Sequence, residues 1–295
     1  MATTQVLRRL LAQEEILVAP GACDALVARL IEQAGFTVVY MTGAGTANGI
    51  LGLPDIGLTT LTEMATNARH ICDAISLPVI ADADTGFGNA LNVMRAVREY
   101  EQAGLAGLHI EDQVAPKRCG HVAGKECVAL EEMVGKVQAA VAARRDPDFV
   151  IIARTDARAP LGFDEAVKRG RAYAAAGADL IFPEALESRE ELAEYARAVH
   201  VPLMANMTEF GKTPYFSARE FQEAGYSVVI YPMSACRVAL KAMQDFLRDL
   251  KQTGTQTAWL PRMLTRRDLY SLLDYSSYTE HERRYLGEGV EPLGQ

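Results

Sequence analysis

The chain has too few of several residues to fit some common protein classes. Its 30 Lys and Arg are outnumbered by 38 Asp and Glu, for a formal net charge of −8. Nucleic-acid backbones and anionic membranes attract basic surfaces, so neither is an expected partner. An anionic small molecule would have to be held by a local cluster of cations or by a metal ion. There are only five cysteines, an odd number without short regular spacing. That excludes a disulfide framework and fits a reducing compartment. No apolar run is long enough to span a bilayer. The opening MATTQVLRRLLAQEE reaches acidic residues early and lacks the apolar centre of a secretory signal. Thr3, Thr4, Arg8 and Arg9 faintly suggest an organelle transit peptide, but an amphipathic first helix accounts for the same residues. The expected location is cytoplasmic. Without a linker, low-complexity tract or composition break, residues 1–295 read as one domain.

The chain is rich in the material of a large core, with 49% apolar and 23% charged residues. Short β-branched runs alternate with Ala-rich helical stretches. Strands are expected at Ile16–Val18, Thr37–Met41, Pro78–Ala81, Gly107–Ile110, Phe149–Ala153, Leu180–Phe182, Pro202–Ala205 and Val228–Tyr231. Helical patterns fill the intervals at Ala25–Gln33, Leu61–Ile75, Ala90–Gln102, Leu130–Arg144, Phe163–Ala175, Arg189–Val199 and Ala218–Glu223. Continuously apolar strands indicate a parallel sheet covered by helices. An Ala-Gly pair closes a helix just before a strand at Ala34-Gly35, Ala103-Gly104, Ala176-Gly177 and Ala224-Gly225, where Gly suits the helix C-cap. About eight strand–helix units make a (β/α)8 TIM-type barrel the expected fold, with a doubly wound open sheet as the alternative. From Met233 to Lys251 one long helix is expected, followed by a polar tail. Residues 233–295 thus form a C-terminal helical extension that must pack on something, and another subunit is a plausible target.

In such a barrel, functional groups gather where strands end. Strand two runs into Tyr40-Met41-Thr42-Gly43-Ala44-Gly45, a small-residue loop whose N–H groups suit a carboxylate or oxyanion, or simply a tight turn. Strand three ends in Asp82-Ala83-Asp84, residues two apart that share a side and repel unless a proton or cation lies between them. Strand four adds Glu111 and Asp112, and Asp55 arrives from the loop after strand two. An all-oxygen set suits Mg²⁺ or Mn²⁺ rather than Zn²⁺. Arg154 ends strand five and suits bidentate capture of a substrate carboxylate, or a structural ion pair. Glu184 would brace Arg154 or His121, while Asn206 and Thr208 would hydrogen-bond a second carboxylate. The loop Lys117-Arg118-Cys119-Gly120-His121 sets a thiol among cations, which lower its pKa and fit it for proton transfer. Lys117 as a Schiff-base lysine is disfavoured, because a charged, Gly-containing loop is expected to leave it solvated. His70, His109, His200 and His281 are scattered and read as ordinary.

These segments resemble the isocitrate lyase and phosphoenolpyruvate mutase superfamily. The resemblance is carried by Lys117-Arg118-Cys119-Gly120-His121, Asp82-Ala83-Asp84-Thr85-Gly86-Phe87-Gly88 and Leu108-His109-Ile110-Glu111-Asp112-Gln113. Ala153-Arg154-Thr155-Asp156-Ala157, Pro183-Glu184-Ala185 and Thr208-Glu209-Phe210-Gly211-Lys212-Thr213-Pro214 extend it. It implies a (β/α)8 barrel acting on a small di- or tricarboxylic acid, in a homotetramer whose C-terminal helices swap between subunits. It also implies Mg²⁺, with Asp82 as direct ligand and Asp55, Asp84 and Glu111 holding water around it. Thr42, Gly43 and Ala44 would bind a keto-acid carboxylate, with Thr42 and Ala44 departing from the Ser-Gly-Gly frequent there. Arg154 would bind the keto-acid portion; His121, Asn206, Thr208 and backbone donors of the Gly120 loop would hold the other product. A loop at Pro116–Lys125 would close over substrate and deliver Cys119 as general acid. Tyr40 or a water would take the alcohol proton. The implied reaction is carbon–carbon cleavage of 2-methylisocitrate to pyruvate and succinate. Cleavage of 2,3-dimethylmalate is the near alternative; decarboxylation or hydrolysis of oxaloacetate is disfavoured by Cys119.

Overall fold

Eight parallel strands form the sheet: β1 (Leu17–Ala22), β2 (Val39–Met41), β3 (Val79–Asp82), β4 (Gly107–Glu111), β5 (Val150–Thr155), β6 (Leu180–Pro183), β7 (Met204–Asn206) and β8 (Val228–Tyr231). This computed structural model describes residues 1–118, 120 and 124–286. The strand order is β6-β5-β4-β3-β2-β1-β8-β7, and a parallel bridge between Ile181 and Leu203 joins the two ends. The expected barrel is therefore the fold, and the open sheet is not. β1 runs further than expected, because Leu17–Pro20 pair with β8 while Gly21 and Ala22 pair with β2. Only glycine fits at Gly21, since a Cβ there would strike the backbone of Pro232.

Period-two alternation sorts the strand residues into two cores. One parity, with Leu17, Ala19, Val38, Tyr40, Ile80, Val150, Ile152, Leu180, Phe182, Met204, Val228 and Ile230, fills the barrel interior. The other, with Val39, Met41, Val79, Ala81, Leu108, Ile110, Ile151, Ala153, Ile181 and Val229, packs against the helices. The N-terminal helix Thr3–Leu11 belongs to the first cluster through Leu7, with Leu10 and Leu11 at its margin. That helix covers one end of the interior. Arg8 ties it there, donating to the carbonyls of Asp148 and Phe149 and pairing with Asp179 at 2.9 Å.

Residues 1–236 make one compact unit and 237–295 a second. Most of the helix Ser234–Thr253 lies in the second unit, followed by a 3-10 turn at Thr257–Arg262 and helices Arg266–Leu272 and Tyr275–Leu286. Trp259 anchors that turn, donating to Asp249 at 2.8 Å with its ring edge-on to Phe246. Val238, Leu240, Met243 and Leu247 on the long helix are exposed. Among the described residues, no helix is long and apolar enough to cross a membrane.

Candidate active site

Continuing the interior parity past the last apolar layer gives Asp82, Glu111, Arg154, Asp156, Glu184 and Asn206, all at the C-terminal rim. Beneath them lie His109 and Tyr40. The Tyr40 hydroxyl meets His109 Nε2 at 2.8 Å, and the same nitrogen is 3.7 Å from Asp82 Oδ1. Phe182 packs edge-on to His109 and lies under the Arg154 guanidinium. Burial, reinforced by the charge of Arg154, pulls His109 down to about 3, so it is neutral. Burial pushes the Tyr40 phenol well up, and Asp82 adds to that. His109, read as ordinary in the sequence, is therefore part of this rim. His109 falls within the Leu108–Gln113 segment quoted above, and its parity with Glu111 places it in the rim.

The Tyr40–Gly45 segment is not the loop that was expected. Thr42 is the N-cap of a helix, Gly43–Ile50, accepting from the Gly45 N–H at 3.1 Å. Glycine costs helix stability, yet here it is needed because a Cβ at Gly43 would collide with Asp82 Oδ2. Gly43 thus lies against Asp82, and the Gly43 and Ala44 N–H groups begin the helix's first turn, which suits an anion, while the Thr42 N–H is given to the Ala22 carbonyl at 3.3 Å.

The acidic residues divide into two groups. Asp84 sits in a left-handed turn (φ 46°), with its N–H donating to Asp82 Oδ1 at 2.9 Å. Lys117 bridges Asp55 at 2.5 Å and Asp84 at 2.9 Å. Contrary to expectation, that lysine is only 5% exposed. Burial opposes its charge, but Asp84, Glu111, Asp82 and Asp55 outweigh that and raise its pKa well above the usual value. A lysine so firmly protonated is a poor Schiff-base nucleophile. Asp112 has the opposite parity to Glu111 and faces the helices. It accepts from Arg169, Tyr173 and Thr155 and from the Asp156 N–H, which removes it from the candidate metal set.

Arg154 is held on three sides. It makes a two-pronged contact with Asp156 (2.8 and 3.1 Å), approaches Glu111 at 3.3 Å and pairs with Glu184 at 3.1 Å. Asn206 donates to Glu184 at 3.2 Å. Lys125 pairs with Asp156 at 2.8 Å. Burial raises Asp156, but Arg154 and Lys125 overcome it and hold the carboxyl below its ordinary range. Gly120 lies directly on Arg154 and Glu184, so tightly that a Cβ would collide with the guanidinium. Arg118 is exposed, and its backbone exchanges hydrogen bonds with the Gln113 side chain. Thr208 is half-buried after β7. Cys119 and His121 lie outside the described residues.

This chain of contacts holds six carboxylates (Asp55, Asp82, Asp84, Glu111, Asp156 and Glu184) but three cations (Lys117, Lys125 and Arg154). Burial pushes Asp82, Asp84 and Glu111 up despite Lys117 and Arg154. Glu111 Oε1 is buried without a hydrogen-bond partner among the described residues. A further cation would relieve this imbalance, and an all-oxygen set suits Mg²⁺ or Mn²⁺. Among the described residues, no group of three or more His, Cys, Asp or Glu side chains could hold an ion by itself. Mg²⁺ usually keeps several waters and needs only one or two protein carboxylates.

The phosphoenolpyruvate phosphomutase family model matches residues 7–251. The chain is 50% identical to the 2-methylisocitrate lyase of Aeropyrum pernix over 98% of this chain and 93% of that protein. It is 48% identical to the 2,3-dimethylmalate lyase of Eubacterium barkeri over 97% of this chain and 99% of that protein. Among solved structures, phosphonopyruvate hydrolase in complex with oxalate and Mg²⁺ superposes with a TM-score of 0.87 at 34% identity, covering 97% of this chain and 100% of that one.

Proposed function

The chain belongs to the phosphoenolpyruvate mutase and isocitrate lyase superfamily, and from that premise we propose that it is a Mg²⁺-dependent lyase cleaving 2-methylisocitrate to pyruvate and succinate. The observation that carries the reading is the rim itself. Three buried carboxylates short of positive charge stand beside a braced Arg154, and the loop bearing Cys119 lies on that arginine through Gly120.

The C2–C3 bond breaks after the C2 alcohol loses its proton, and the departing fragment carries negative charge next to a carboxylate. Arg154, the N–H groups of Gly43 and Ala44 and the Thr42 side chain at the helix cap anchor the carboxylate of the half that becomes pyruvate. When bound through Asp82, with Asp55, Asp84 and Glu111 around it, Mg²⁺ supplies positive charge that polarises the substrate oxygens. A water takes the alcohol proton, directly or through the Tyr40 hydroxyl, which burial keeps neutral. His121, Asn206, Thr208 and Gly120 take the other product, and Glu184 braces Arg154 and Asn206. Cys119, flanked by Arg118 and His121 in sequence, gives its proton to the succinate carbon.

The working unit on this reading is a cytoplasmic homotetramer formed by the whole chain, in which the 233–295 extension swaps between neighbours. The exposed Val238, Leu240, Met243 and Leu247 support it. A second reading, 2,3-dimethylmalate cleavage, is favoured by a relative of nearly equal identity. Pyruvate release with Mg²⁺ from 2-methylisocitrate, isocitrate, 2,3-dimethylmalate and oxaloacetate separates the two. Turnover of the first, lost with chelator and with Cys119→Ser, is expected. Preference for dimethylmalate moves the substrate and keeps the chemistry. Oxaloacetate turnover that survives Cys119→Ser refutes the role given to the thiol.

A further inference from the structure

Lys125 lies at the far end of the Lys117–Lys125 loop, outside the set of residues that would touch substrate. Its side chain is 1% exposed and pairs with an Asp156 carboxylate that is 0% exposed. Removing an ammonium from water this completely is unfavourable unless its donors are satisfied. Two of them have partners: Asp156 Oδ1 at 2.8 Å and the Gly120 carbonyl at 2.5 Å. The first partner is the carboxylate that grips Arg154 through two nitrogens. The second is the loop residue that lies against Arg154 and Glu184 with no room for a Cβ. One cation therefore joins the loop backbone, one residue after Cys119, to the arginine's own carboxylate.

We propose that Lys125 is a positioning residue that seats the Cys119 loop on Arg154, so that the thiol's distance from the substrate is set from the arginine. This rests on the roles given above to Cys119 and Arg154. Asp156 keeps both contacts to Arg154 when Lys125 is lost, so substrate anchoring survives while the loop loses its tie. The geometry also explains Gly120: a side chain there would lift the loop from the same seat.

The test has a readout that does not depend on turnover. Lys125→Met and Gly120→Ala are compared with the unaltered full-length protein for the rate at which iodoacetamide alkylates Cys119, followed by peptide mass spectrometry. Losing one charge-assisted hydrogen bond is expected to speed alkylation by about tenfold or more. Turnover number should fall by roughly 100-fold, as for a reacting group displaced by about an ångström, with KM changed by less than about threefold. Alkylation of the other cysteines should not change. Gly120→Ala retains every charge and should speed Cys119 alkylation in the same way, so the proposal stays testable if Lys125→Met folds poorly. Cys119 alkylation unchanged in Gly120→Ala, or a rise in KM with constant turnover number in Lys125→Met, overturns it. If the unaltered protein cleaves none of the tested acids, the lyase reading fails, while the alkylation comparison still decides whether Lys125 seats the loop.

Discussion

Asp112 is a sharp test of the division between structural and functional acids, because it sits next to Glu111 yet faces the other way. Its Oδ2 accepts from Arg169 at 3.0 Å, Tyr173 at 2.8 Å and Thr155 at 2.8 Å, and its Oδ1 from the Asp156 N–H at 2.8 Å. All five residues are buried. Breaking a buried ion pair by deleting one partner costs about 3–5 kcal/mol. Arg169 keeps the Val128 carbonyl at 2.9 Å and Glu165 at 3.1 Å, which places Asp112→Ala near the lower end. At roughly 2–4 °C per kcal/mol for a unit of this size, a loss of about 3 kcal/mol lowers the melting temperature by about 6–12 °C. The measurement is scanning calorimetry with Mg²⁺ and with EDTA, beside Asp82→Asn. Asp112→Ala should melt low in both buffers and keep the Mg²⁺-induced rise. Asp82→Asn should lose that rise, and its melting in EDTA should match or exceed wild type, since it removes one of the crowded buried acids. An Asp112→Ala protein that melts normally but no longer responds to Mg²⁺ would refute the division.

Two further outcomes follow from the rim. Chelation should lower the melting temperature of the intact protein: an ion at 100 times its dissociation constant stabilises by about 2.7 kcal/mol, which calorimetry would read as roughly 5–10 °C. Arg154→Lys keeps the charge but cannot span Asp156 and Glu184 together, so KM for 2-methylisocitrate should rise by about 100-fold, the equivalent of about 3 kcal/mol in lost charged hydrogen bonds. Steady-state kinetics checks it, and an unchanged KM would show that the arginine's contacts are structural.

The barrel was legible because its evidence repeats. Each strand is a continuous apolar run, and four helices close on an Ala-Gly pair, so small errors at the ends left the count intact. Boundaries such as Ala22 were less legible, since they depend on pairing with β2, a long-range contact. The helix at Gly43–Ile50 was hidden for a different reason. Three glycines in eight residues oppose helix formation locally, and only the approach of Asp82 to Gly43 shows why they are there. Lys117 was misjudged in the same way. A charged, glycine-containing loop implies solvent, but four carboxylates contributed by three separate segments make burial tolerable, and no local pattern reports them.

The acids show what a stricter reading of the strands yields. Glu111 and Asp112 are equivalent in composition and adjacent in sequence. Parity from the interior residue His109 puts Glu111 inside and Asp112 outside, and the same count from Ile80, Ile152, Phe182 and Met204 selects Asp82, Arg154, Glu184 and Asn206. The count needs only one residue per strand known to face inward. Reading the acids at a strand's end by composition carries Asp112 along with its neighbour, whereas alternation separates them, because successive side chains on a strand cannot share a face. The reactive rim of this barrel is therefore the apolar interior pattern continued for one more layer with charged residues. That continuation is why the acids there are short of water and of positive charge.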